Sequence, residues 1–175
     1  MRSDPEFQLA VSDLQTFADR AERLRWLQGH GEPAMGRMFF GGPLSAFAFH
    51  EAGVCYVAGL YLGCVLLAQT CLEHLLGGAF TFWGPEEAAT YPYRRMLKEA
   101  REAQILTADE YELFDRLRKE RNPYAHPRGI DDPMSLLRRA MTTGQDPEGL
   151  LQKDAREALT AVVQLVNRAP FGLSH

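Results

Sequence analysis

Residues 107–129 read TADEYELFDRLRKERNPYAHPRG, and the rest of the chain is organised around them. The stretch opens like a helix. Thr107 followed by Glu110 fits a capping box, in which each side chain satisfies an orphan backbone donor of the first turn. Tyr111, Phe114 and Leu117 recur at three- and four-residue spacing and mark one apolar face. Carried seven residues further, Phe114 leads to Arg121 and Leu117 leads to Tyr124. An arginine therefore stands where the pattern asks for a core side chain. Pro123 removes a backbone donor and crowds the preceding turn, which predicts that the helix kinks or ends there. His126 follows at once. A polar cluster of Arg121, Asn122 and His126 at a helix break calls for more than packing.

Arg121-Asn122-Pro123-Tyr124-Ala125-His126 resembles the Arg-x4-6-His motif, with a polar residue after the Arg, of the HEPN superfamily. Those are helical domains common in prokaryotic toxin–antitoxin, phage-defence and RNA-processing systems. The resemblance extends over residues 106–129, and the helical pattern on either side is compatible with it. It implies a HEPN-like bundle of four to five helices running up and down. It also implies an endoribonuclease, cleaving single-stranded RNA without a metal or other cofactor.

Outside the motif the chain reads as a single helical domain over residues 1–175, long enough to bury a core. Its 46% hydrophobic and 24% charged residues are ordinary for a globular protein. A net charge of −4 argues against a surface that grips nucleic acid everywhere, so any RNA contact has to use a local basic patch. Cys55, Cys64 and Cys71 share one apolar segment and form no CxxC pair. They are expected as buried free thiols in a reducing cytoplasm, not as a disulfide or a zinc site. The first residues, MRSDPEFQ, are not followed by the apolar run of a signal peptide.

Residues 3–28 read as a first helix, with Ser3 and Glu6 as a second capping box and Pro5 in the first turn. Phe7, Ala10, Leu14, Phe17, Ala21 and Leu24 form its apolar stripe, read as bundle core and not as a coiled coil because it is short. Gly29 and Gly31 are expected to close it. Residues 30–53 read as a long loop with a short helix near 45–51, its Phe39, Phe40, Phe47 and Phe49 covering the core. The glycines there lack the Gly-Lys-Ser/Thr of a phosphate loop.

Residues 54–76 are the most hydrophobic segment, with no charge from 52 to 72. That is long enough to span a bilayer, but Gln69, Thr70, three glycines and two tyrosines dilute it and no basic flank follows. A helix apolar all round is more simply the centre of a bundle. Gly59 and Gly63 form a GxxxG that lets a neighbour approach. Glu73 near its end is a candidate partner for Arg121, since a charge on an inner seam needs one. The alternative is that Glu73 and His74 simply reach solvent.

Residues 77–90 read as a loop. A helix over 90–104 places Tyr93, Leu97, Ala100 and Gln104 on one face and the basic Arg94, Arg95 and Lys98 on another. Asp132-Pro133 and Asp146-Pro147 each resemble a cap and first-turn proline, for helices to about 141 and 168. No alternating strand pattern appears. The architecture is all-α.

On an ideal helix Arg121 and His126 point about 140° apart, so one copy makes a thin active site. A two-fold homodimer that faces two such segments gives two Arg and two His in one cleft, which is the arrangement the resemblance implies. There His126 takes the proton of the ribose 2′-OH that attacks the neighbouring phosphate, and Arg121 holds the phosphorane. Asn122 orients either group. Arg118, Lys119 and Arg128 supply positive charge for RNA, and Glu73 and Tyr124 support the site from behind. An antitoxin or inhibitor protein is the expected partner, and no membrane is. In HEPN toxins paired with a nucleotidyltransferase, a Tyr two residues after the His accepts the modification. Here Arg128 stands there, behind Pro127.

The competing reading is a non-catalytic HEPN-type module that binds a nucleotide, RNA or a protein, with Arg121 and His126 in a structural or ligand-binding cluster. A helical protein outside the family is the third. An Arg121–Glu73 ion pair buried inside one subunit favours the structural reading. Open motifs paired across a dimer cleft favour the nuclease.

Overall fold

A computed structural model describes residues 4–30, 40–127, 129 and 131–168. Among them are seven α-helices and no strand: α1 Pro5–His30, α2 Gly42–Ala58, α3 Tyr61–Trp83, α4 Tyr93–Glu102, α5 Ala108–Ala125, α6 Leu136–Thr143 and α7 Pro147–Asn167. A short 3-10 helix over Glu86–Thr90 leads into α4. The all-α class agrees with the patterning. The number of helices exceeds the four to five expected, and the surplus has a local cause.

The stretch around Gly41-Gly42-Pro43 is no loop but the start of a helix. Pro43 sits in the first turn of α2, where its missing N–H costs nothing, and α2 then runs through the residues expected as loop. Gly59 stops it. At φ 81° it donates its N–H to the Tyr56 carbonyl while Leu60 N–H reaches the Cys55 carbonyl, a Schellman motif. The apolar segment is therefore a helical hairpin, not one long helix. Gly59 is its corner, and Gly63 lies opposite the Cys55 side chain on the other arm.

Helix α3 is the centre. Cys64, Ala68, Cys71, Leu72, Leu76, Ala79 and Phe80 are fully buried, and α2, α4, α5 and α7 pack around it. It alone among the described helices is long and apolar enough to cross a membrane, and half of its most apolar window is covered by the other helices. Burial pushes the Cys71 thiol up to about 12 and raises Cys64 as well, so both stay protonated and inert. The region expected as loop after Leu76 instead extends α3 to Trp83.

Helix α7 follows its expected cap and stripe. Asp146 accepts from Gly149 N–H, and Ala155, Ala158, Val162, Leu165 and Val166 are buried against the core. Helix α6 starts later than expected. Ser135 caps it, while Asp132 accepts from Met134 N–H in the turn before. Gln104, expected on the buried face of α4, lies exposed in a left-handed turn beyond its end.

Helix α1 departs most from expectation. It continues through Gly29 to His30, and Asp4 accepts from Glu6 N–H at its start, Ser3 lying outside the described residues. Its stripe is not core: Phe7, Leu14 and Phe17 are exposed by 66%, 79% and 69%. Periodicity marks an apolar face without saying what covers it. Only the C-terminal third of α1 is held. Arg23 donates to the Val57 carbonyl at the C-terminus of α2, and Trp26 packs on Tyr56 with ring centroids 4.9 Å apart.

The start of α2 crosses α3 backbone on backbone. A Cβ at Gly78 would lie 2.1 Å from the Phe40 carbonyl oxygen. Gly78→Ala should lower stability by about 1–3 kcal/mol in urea unfolding, the cost of overpacking a fixed contact. Gly29→Ala, where a Cβ meets nothing within 4 Å, should be neutral or slightly stabilising. Equal stability of the two variants would mean that the crossing is looser than described.

Candidate functional site

Helix α5 begins with the expected capping box: Thr107 Oγ1 accepts from Glu110 N–H, and Glu110 accepts from Thr107 N–H at 2.8 Å. Phe114 and Leu117 are buried and Tyr111 is half-buried. The helix does not break at Pro123. It passes through that residue and ends at Ala125, because Pro123 sits so near the end that it removes a single donor. The stop comes from Pro127, which forces its predecessor out of the helical region: His126 is extended at φ −138°, ψ 138°.

Arg121 occupies the inner position that the periodicity assigns it, and Glu73 of α3 meets it. Its Nη2 donates to Glu73 Oε1 at 2.7 Å, with the two side chains 20% and 34% exposed. Beside the pair Arg121 Nε is buried with no hydrogen-bond partner among the described residues, and the Gln69 amide lies against the buried Tyr93 hydroxyl. Burial pushes the Tyr93 phenol well up, and Glu73 adds to the shift while Gln69 and Arg121 oppose it. Glu73 also borders an open cleft of about 580 Å³ shared with His74, Thr81 and Thr90.

Tyr124 anchors the same turn on its other side. Its hydroxyl donates to Asp154 Oδ2 at 2.7 Å and accepts from Arg139 Nη1 at 2.9 Å. Asp154 is 3% exposed and takes both nitrogens of the Arg139 fork, at 2.6 and 2.7 Å. Hydrogen bonding to Asp154 holds the Arg139 proton more tightly than usual. Burial, with Asp154 beside it, pushes the Tyr124 phenol up, so it remains a donor. One turn earlier Glu120 is raised by burial, with Arg116 opposing the shift. Asp154 and Arg139 escape the sequence reading. The available signal is an acid one residue before Ala155 in the buried stripe of α7.

The remaining candidate residues separate. Asn122 is half-buried, and its carbonyl accepts from His126 N–H at 3.0 Å. His126 is exposed beyond the helix end, and among the described residues no hydrogen bond joins its ring to Arg121 or Asn122. Arg118 and Lys119 both contact Asp115, at 2.7 Å each, and hold its carboxyl below the usual range against the effect of burial. Arg128 lies outside the described residues. No group of three or more His, Cys, Asp and Glu among the described residues is placed to hold a metal.

No family model matches the chain, and neither a curated protein nor a solved structure matches it. The site has to be read from its own geometry.

If Asp154 is the anchor of the α5–α6–α7 junction, Asp154→Ala should cost about 3–5 kcal/mol, because it leaves Arg139 without its partner. Tyr124→Phe should cost about 1–2 kcal/mol, the loss of a hydrogen bond to a charged acceptor. Urea unfolding of both variants checks the order. A Tyr124→Phe cost equal to that of Asp154→Ala would contradict it.

Proposed function

We propose that the chain is a non-catalytic binding module of HEPN type, in which the α5 motif is structural. The Arg121–Glu73 ion pair inside one subunit carries this reading. An arginine whose charge is already matched by a carboxylate attracts a phosphate less strongly than an unpaired one does. The neighbouring cations support the same view. Arg116 is paired with Glu157 at 2.6 Å, and Arg118 and Lys119 with Asp115, so the described part of α5 offers RNA little uncompensated positive charge. In this reading Arg121 and Tyr124 fasten the last turn of α5 to α3 and to α6–α7.

The second reading is the endoribonuclease, with a homodimer completing the cleft and an antitoxin or inhibitor restraining it. The exposure of His126 just past the end of α5 favours it, since a second copy can approach there. His126 would then be the base, Arg121 the phosphate clamp once freed from Glu73, and Asn122 their orienting group.

One experiment separates the two. Fluorescent single-stranded RNA is incubated with wild type and with His126→Ala in excess EDTA, after thermal melts show the two equally folded. The module reading expects intact RNA with both proteins. Chelator-resistant cleavage that disappears in His126→Ala would overturn it and establish a His-dependent ribonuclease.

A further inference from the structure

The apolar stripe of α1 is the largest feature that the bundle leaves unused. Phe7, Ala10, Leu14, Phe17, Ala21 and Leu24 alternate in steps of three and four, which are the a and d positions of a heptad over a 26-residue helix. None of the helix is buried, and Phe7, Leu14 and Phe17 face outward. A separate groove of about 650 Å³ lies between α1 and α2, lined on α1 by Asp13, Thr16, Arg20 and Leu27 and touching the stripe only at Leu24. We infer that this face is covered by α1 of a second copy, lying antiparallel, so that the chain forms a homodimer through its first helix.

The pairing follows from the register. Antiparallel a-to-d matching sets Phe7 against Leu24 of the second copy, Ala10 against Ala21 and Leu14 against Phe17, with the same three layers repeated by the two-fold axis. The two alanine layers let the backbones come close, while the large side chains meet near the centre and at the ends.

Charge selects the orientation. The positions flanking the seam are Glu6, Asp13, Arg20 and Leu27 on one side and Asp4, Val11, Ala18 and Arg25 on the other. In an antiparallel pair like flanks face each other. Asp13 then meets Arg20 of the second copy, and Asp4 meets Arg25, each contact occurring twice. A parallel pair would set Arg20 against Arg25. Within one copy Asp13 and Arg20 already lie 2.7 Å apart on the exposed surface, so they are free to exchange partners. Helix α1 holds four acidic side chains against three arginines, a balance that disfavours an anionic lipid surface as the occupant. The inference does not depend on whether the α5 motif is catalytic, because α1 contacts the body chiefly through α2.

Sedimentation equilibrium of the full chain tests it. Wild type should be a dimer and Leu14→Asp a monomer, with the same helical content by circular dichroism, since Leu14 is 79% exposed in a single copy. Arg20→Asp should weaken dimerisation several-fold, through the like charge it sets against Asp13 of the second copy. Combining it with Asp13→Arg should restore the wild-type affinity. A monomeric wild type would overturn the proposal and leave the stripe to another protein or a lipid surface. A dimer that Leu14→Asp leaves intact would place the interface elsewhere, and a double variant no tighter than Arg20→Asp would overturn the antiparallel register.

Discussion

Helix α3 buries more side chains than any other described helix, and that constraint orders the rest of the molecule. Its long apolar face needs neighbours, so α2, α4, α5 and α7 all pack on it. Its first charge, Glu73, comes only after more than three of its turns. That carboxylate sits where α5 crosses, and it is there that Arg121 finds its counter-charge. An unpaired arginine on this half-buried seam would be costly, so the position of Glu73 favours docking of the motif helix. Tyr124, Asp154 and Arg139 complete the attachment on the far side of the same turn.

The chemistry of the motif follows from this attachment. In a composite nuclease cleft the arginine has to face outward, toward a phosphate. Here the same side chain faces inward, held by a helix of its own subunit, while His126 is outside. The two residues that the motif couples in sequence are thus given different surroundings by a single helix end. Arg121 belongs to the packing of the bundle, and His126 belongs to its surface.

Much of this was legible in the sequence, for identifiable reasons. The capping box at Thr107, the arginine on the inner seam of α5 and the Asp-Pro start of α7 all rest on short-range rules that tertiary structure did not override, while the pairing with Glu73 was one of two readings left open. Four features were not legible. Gly59 reads equally as a helix–helix contact or a helix stop, and only the left-handed backbone there distinguishes them. Pro123 looks like the helix breaker, although Pro127 acts as one because its effect falls on the residue before it. The stripe of α1 has the spacing of a core helix, yet spacing carries no information about which surface will cover it. Asp154 and Arg139 were illegible because their partner, Tyr124, was assigned to a different element and nothing in the sequence sets the distance between them.

The central claim is that Arg121 and Glu73 act on each other within one subunit. A double-mutant cycle of Arg121→Met and Glu73→Gln, followed by urea unfolding, measures that interaction directly. If the pair fastens α5 to α3, the two changes should be coupled by roughly 0.5–3 kcal/mol, the range for residues in contact. Additive effects, with no coupling beyond error, would contradict the account and release Arg121 for a role at the surface.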